Sequence, residues 1–192
     1  WRADGVRVGR AVVVRTYGSA PRPEGAALLY AADGRIAGSV SGGCVEGAAA
    51  REIARAMETG TSRIERYGIT DEQAWSVGLA CGGNIDVLVE PEVPAEAESA
   101  ARSAGGVAVI TDLADGHRFI VSEAGPPPAE APADIVEAAR DALLRGTSRV
   151  FESGERQLFI EAYPVRPRLV VVGAVEIARA LTRLARELGF AT

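Results

Sequence analysis

A short phrase occurs twice in this chain. Gly60-Thr61-Ser62-Arg63 recurs as Gly146-Thr147-Ser148-Arg149, each time closing a helix-like segment. A repeat restricts the fold more than any other feature, because one structural unit has to serve twice. Ahead of the two copies, Ala49, Ile53, Ala56 and Met57 match Ile135, Ala139, Ala142 and Leu143, a single apolar face at helical spacing. Gly60 and Gly146 then stop the helices, glycine being best suited to the left-handed position after a helix end. Strand-like runs flank both helices. Ile85–Pro91 pairs with Leu158–Pro164, and Ala11–Thr16 with Val107–Thr111. Ala32-Asp33-Gly34 recurs as Ala114-Asp115-Gly116, and Asp-Gly between strands signals a hairpin. Each half is therefore expected to run strand, hairpin, strand, helix, strand, strand.

The repeat also acts as an internal control. Features shared by both halves serve folding; features of one half invite another reason. The first half alone carries GSAPRPEGA (Gly18–Ala26), SGGC (Ser41–Cys44) and the insertion Ile69–Gly83, which ends in ACGG. In SGGC, a glycine pair at a strand-to-helix turn permits positive φ and close approach of backbone to a ligand. Free amides at the helix start then attract anions, with the hydroxyls of Ser39 and Ser41 as further donors. Cys44 falls in or just before the first helical turn, where the helix dipole favours a thiolate able to react or to bind a soft metal. Glu46 suits the same dipole but opposes an anionic ligand. The alternative is a tight turn with Cys44 as a small buried apolar residue.

In GSAPRPEGA, beside Ser19, Pro21 and Pro23 fix the chain on both sides of Arg22, holding a guanidinium suited to bidentate phosphate contacts. The plainer alternative is a stiff hairpin loop with a solvated Arg22. The insertion opens with a capping pattern, Thr70 to Gln73, with Trp75 as an apolar anchor. It closes on Cys81, Gly82 and Gly83, where a backbone can pass close to something. His117 reads as a surface residue of a hairpin turn.

Composition removes several functions. A net charge of −5 provides no basic footprint for nucleic acid. No apolar run is long enough to span a membrane. Two cysteines and one histidine make neither a disulfide scaffold nor a zinc site, and suit a reducing, cytoplasmic compartment.

The final stretch, RLVVVGAVEIARALTRLARELGFAT (Arg168–Thr192), reads as a buried strand over Leu169–Val172, a turn at Gly173 and a helix with Ile177, Leu181, Leu184 and Leu188 on one face. This is the opening of a Rossmann-type unit. Val175 stands where the fingerprint needs its second glycine, so backbone cannot approach a pyrophosphate there and NAD(P) binding is disfavoured. A lone strand and helix have no sheet of their own, so a larger domain cut short is expected.

The fold class expected is α/β: an α+β N-terminal domain with an internal repeat, then the start of a Rossmann-type parallel domain. The divisions are a first unit over 1–92, a linker or short acidic helix over 93–104, a second unit over 105–166 and the Rossmann opening over 167–192.

Taken together and in order, GSAPRPEGA, GSVSGGCVE, GLACGGNIDVLVEP and VVVGAVEIARAL resemble the XdhC/CoxI family. The resemblance implies a maturation factor for molybdenum hydroxylases of the xanthine dehydrogenase and carbon monoxide dehydrogenase kind. Such a factor binds the molybdenum cofactor, as molybdopterin or its cytosine dinucleotide form, protects it and delivers it to the apoenzyme. A homodimer is implied, and a cysteine desulfurase is a further partner. Under this resemblance the cofactor-binding residues are Ser19, Arg22, Ser39, Ser41, Gly42, Gly43, Cys44, Cys81, Gly82, Gly83 and Gly173, with Cys44 at the molybdenum or sulfur. A chaperone is expected rather than a turnover enzyme. The competing reading is an NAD(P)- or flavin-dependent oxidoreductase built on the Rossmann opening.

Overall fold

The computed structural model describes residues 1–68 and 83–192. The first half forms β1 (Val8–Gly18), β2 (Ala27–Ala31), β3 (Ile36–Gly38), α1 (Glu46–Thr59), β4 (Arg63–Gly68) and β5 (Gly83–Glu90). The second forms α2 (Ala95–Arg102), β6 (Val107–Asp112), β7 (Arg118–Ser122), α3 (Ala133–Arg145), β8 (Arg149–Ser153) and β9 (Arg156–Tyr163), and α4 (Glu176–Glu187) follows. The result is a mixed α/β molecule with two antiparallel sheets, ordered β3-β2-β1-β5-β4 and β7-β6-β9-β8.

Alternation along the strands builds the layers, because successive side chains point to opposite faces. Ala11 and Val13 of β1, with Val87 and Val89 of β5, meet Ala49, Ile53, Ala56 and Met57 of α1. Ala108, Ile110, Leu158 and Ile160 meet Ile135, Ala139, Ala142 and Leu143 of α3 in the same way. The intervening residues face the other sheet: Val12, Val14 and Leu88 pack with Phe159. The helices α1 and α3 therefore lie on the outer faces of two sheets stacked on each other. Both helices end at a left-handed glycine, Gly60 at φ 71° and Gly146 at φ 66°.

The inter-sheet layer also holds charge. Arg10 is 3% exposed; it pairs with Glu90 of its own sheet and donates two hydrogen bonds, both 3.0 Å, to Glu161 of the other. Arg118 closes on the far oxygen of Glu90, and the Tyr163 hydroxyl donates to Glu161 at 2.6 Å. Burial opposes the charge on Arg10, but Glu161 and Glu90 overcome it and raise its pKa. Burial likewise pushes Glu90 upward, against the pull of Arg10 and Arg118. An ion pair out of water costs several kcal/mol per ion unless its partners are well placed. Here one guanidinium serves two carboxylates and so ties the sheets together.

Two expectations need correction, and the alternative left open over 93–104 resolves to the short acidic helix. The two Asp-Gly turns are not equivalent: Asp33-Gly34 joins β2 to β3, whereas Asp115-Gly116 joins β6 to β7. The first half carries the extra edge strand β3, and its counterpart of the β6–β7 connection is the GSAPRPEGA loop between β1 and β2. Within 93–104, Ala95–Arg102 is a helix, with Ala97 and Ala100 buried. Finally, Leu169–Val172 is not a buried strand: Val172 is 96% exposed, and the one pairing in this region is a parallel bridge from Arg168 to Ala191. An apolar run of parallel strand is buried when neighbours and covering helices enclose it, and a single bridge does not.

Candidate functional site

The site grows from the way β1 hands over to β2. The connecting loop is pinned at its root: the Thr16 amide and hydroxyl both donate to Glu24, at 2.9 and 2.6 Å, and the Gly25 amide donates to the Val13 carbonyl. A register shift between Val13 and Arg15 accompanies the loop. Arg22 stands at the exposed tip, with no ion-pair partner among the described residues.

Pro21 of this loop reaches the SGGC turn. Together with Ser19, Ala20, Ser41, Cys44, Val45, Tyr67, Gly68, Gly83 and Ile85 it encloses a cavity of about 40 Å³. The fold thus brings Ser19, Ser41, Cys44 and Gly83 together, with Arg22 one residue from the wall. Gly42 and Gly43 take φ values of 80° and 122°, the left-handed region that favours glycine. Cys44 is exposed, immediately ahead of α1, rather than a buried apolar filler.

The turn's amides do not behave as expected, because Glu46 takes them. Its Oε1 accepts from the Ser39 hydroxyl and the amides of Val40 and Ser41, at 2.7, 3.2 and 2.9 Å. Its Oε2 accepts from the Ser41 hydroxyl and the Gly43 amide, at 2.6 and 2.9 Å. Ser39 Oγ receives the Gly42 amide, and Ser41 Oγ receives the amides of Cys44 and Val45. Partial burial would raise the Glu46 pKa, but the hydrogen bonds from Ser41 and Ser39 outweigh it and bring the value down to about 2. The anion expected of a ligand is the chain's own carboxylate. Sequence reasoning placed Glu46 in the first turn and missed this; the signal was a glutamate two residues after a Gly-Gly-Cys rich in hydroxyls and amides.

Gly83 also serves packing. A Cβ there would stand 2.7 Å from the Ser19 carbonyl oxygen and 2.9 Å from that of Tyr17. Its missing side chain admits β1, not a ligand. Tyr67 was missed altogether. It lines the cavity, and its hydroxyl is buried with no hydrogen-bond partner among the described residues. Cys81 and Gly82, with the Thr70–Gln73 capping pattern and Trp75, lie outside the described residues. Gly173 has φ 114° and lies ahead of α4, apart from the residues lining this cavity. Its turn lacks the second glycine, as Val175 precedes α4 in extended geometry.

Chemically, the arrangement offers a thiol, a hydroxyl pair and a phenol around a small hollow. No group of three or more metal-ligating side chains occurs among the described residues, so Cys44 has no built coordination shell there. No described helix is long and apolar enough to cross a membrane. These features define a two-sheet α/β scaffold with an exposed thiol beside a small cavity.

The comparisons narrow that class. Residues 1–68, which hold β1 to β4 and the SGGC turn, match the model of the XdhC and CoxI family. The molybdenum cofactor insertion chaperone PaoD of Escherichia coli K12 is 46% identical over 78 residues, which cover 40% of this chain and 24% of PaoD. A probable xanthine dehydrogenase subunit, from Bacillus subtilis 168, is 26% identical over 188 residues, covering 94% of this chain and 56% of that protein. The chain thus spans little more than half the length of the Bacillus relative, and its match to PaoD covers a smaller share still. A crystal structure of a xanthine dehydrogenase from Bacillus halodurans superposes with a TM-score of 0.68 at 23% identity, over 96% of this chain and 56% of that one, a likeness of fold.

Proposed function

We propose that this chain is the cargo-holding part of a molybdenum cofactor chaperone serving a xanthine dehydrogenase-type hydroxylase. The observation that carries the reading is a coincidence of two findings. The family match over residues 1–68 includes the cavity-lining residues Ser19 to Val45, Tyr67 and Gly68, and the chain is 46% identical over 78 residues to a cofactor insertion chaperone. The exposed Cys44 thiol would supply a soft donor suited to a dithiolene-bound molybdenum. Arg22, on a loop pinned by Glu24, supplies a charge for the phosphate or cytosine dinucleotide end.

The phosphate does not go to the turn amides, which Glu46 holds; side chains carry the anion recognition instead. Ser19, Ser41 and Gly83 shape the wall. Cys81 and Gly82 belong to the same site in this reading. The units 1–92 and 105–166 are one fold used twice, and Arg168–Thr192 opens a Rossmann-type domain in which the Arg168–Ala191 parallel bridge is the first pairing. A homodimer, a desulfurase partner and a cytoplasmic setting complete the proposal.

The test is anaerobic purification of the protein after exposure to cofactor, with pterin fluorescence after oxidation and molybdenum analysis. Binding should be stoichiometric in the parent and reduced about tenfold or more in Cys44→Ser. A parent protein that retains neither pterin nor molybdenum defeats the reading.

A further inference from the structure

One residue lining the cavity carries a buried polar group with no partner among the described residues. The Tyr67 hydroxyl is shielded from solvent and has no hydrogen-bond partner among the described residues, although buried polar groups are satisfied in the great majority of cases. Leaving such a group unpaired is unfavourable. The residue itself is well placed for packing. It lies on β4 opposite Ile85, on the face covered by α1, and packs against the core that holds Ile53 and Met57. Phenylalanine would make the same apolar contacts without the unpaired oxygen. Among the described residues, the hydroxyl therefore has a cost and no structural return.

The same residue lines the cavity with Cys44 and Ser41. Burial and the neighbouring Glu65 raise its pKa, with Arg63 and Arg51 pulling the other way, so it remains a phenol, able to donate. We infer that Tyr67 is a ligand-binding residue: its hydroxyl donates a hydrogen bond to an acceptor oxygen or nitrogen of the molecule held beside Cys44. This rests on the proposed function and adds to it a hydrogen-bond donor for a neutral acceptor of the cargo, such as an oxo or ring carbonyl group. It divides the labour in the site: Cys44 meets the soft atom, Tyr67 the hard acceptor, and Arg22 the distant anion.

Tyr67→Phe tests this with two readouts. In the ligand-free protein the variant should be at least as stable as the parent in urea, because an unpaired buried group has been removed. Its affinity for molybdenum cofactor released anaerobically from a donor molybdenum enzyme, followed by equilibrium dialysis and pterin fluorescence, should fall roughly three- to tenfold, the loss of one hydrogen bond. Cys44→Ser is run alongside. Tyr67→Phe binding as tightly as the parent, while Cys44→Ser binds weakly, overturns the inference and leaves the function standing. A clearly less stable Tyr67→Phe shows a structural partner for the hydroxyl and also overturns it. A parent that binds no cofactor removes both.

Discussion

Replacing Glu46 with glutamine exchanges one oxygen for an amide and leaves the shape of the turn intact. The consequence should nonetheless be large. In the parent the two carboxylate oxygens accept from the hydroxyls of Ser39 and Ser41 and from the amides of Val40, Ser41 and Gly43. A glutamine accepts at one end and presents N–H groups to donors at the other. The carboxyl's pKa falls from 4.5 to about 2 on folding, which corresponds to roughly 3 kcal/mol in favour of the ionised folded state. Glu46 is partly exposed, so solvent screening brings the expectation to about 1.5–2 kcal/mol.

Because folding lowers this pKa, the contribution is complete above the unfolded value of 4.5 and disappears as pH falls toward 2. Urea unfolding of parent and Glu46→Gln at neutral pH and near pH 3 should therefore give a gap that is about 1.5–2 kcal/mol at neutrality and roughly half that in acid. A gap that is absent at pH 7, or equally wide at both pH values, would refute the argument; so would a Glu46 carboxyl that titrates by carbon NMR near 4.5.

Other substitutions probe other parts of the molecule. Gly83→Ala places a Cβ against the Ser19 and Tyr17 carbonyls and should cost about 1–3 kcal/mol in urea unfolding; a neutral result would mean that the strand ends have room to part. Arg10→Met leaves two buried carboxylates without their shared guanidinium and should cost about 3–5 kcal/mol, whereas Arg10→Met with Glu161→Leu should recover part of that loss. Equal or greater instability of the double variant would argue against charge burial as the cause. Arg22→Ala should weaken cofactor binding without moving the urea midpoint, since Arg22 has no ion-pair partner among the described residues; a stability loss above about 1 kcal/mol would assign it to the fold.

Much of the outer architecture was legible because it obeys simple periods. The helical faces around Ile53 and Ile135, the stops at Gly60 and Gly146, and the strands around Val13, Val87, Val109 and Ile160 all follow from spacing and turn chemistry. The inner layer was not legible. Glu90 and Glu161 interrupt apolar strands at positions that alternate toward one face, and alternation does not distinguish a face turned to water from one turned to a second sheet. Their burial at 2% and 4% depends on Arg10, far away in sequence. At the site, the glycines of the SGGC turn and the position of Cys44 could be read from local rules. The occupation of the amides by Glu46 could not, because a carboxylate near a helix start satisfies the dipole whether or not it folds back onto the turn.

The buried ion network and the cavity lie at opposite ends of β1. Arg10 near the strand's beginning pairs across to Glu90, while Tyr17 and Gly18 at its end pair with Asn84 and Gly83 beside the cavity. At about 3.3 Å per residue, the interval from Arg10 to Gly18 puts them more than 20 Å apart. They also use opposite faces, the ion network between the sheets and the cavity beneath α1. Perturbations at sites so separated should add independently. The sheet-to-sheet lock can thus hold the scaffold rigid without constraining the hollow where Cys44 and Tyr67 sit, and a Tyr67 hydroxyl without a partner among the described residues is tolerated because stability is supplied elsewhere. Under the proposed function, filling and emptying the hollow beside Cys44 and Tyr67 would leave the sheet-to-sheet lock as it was.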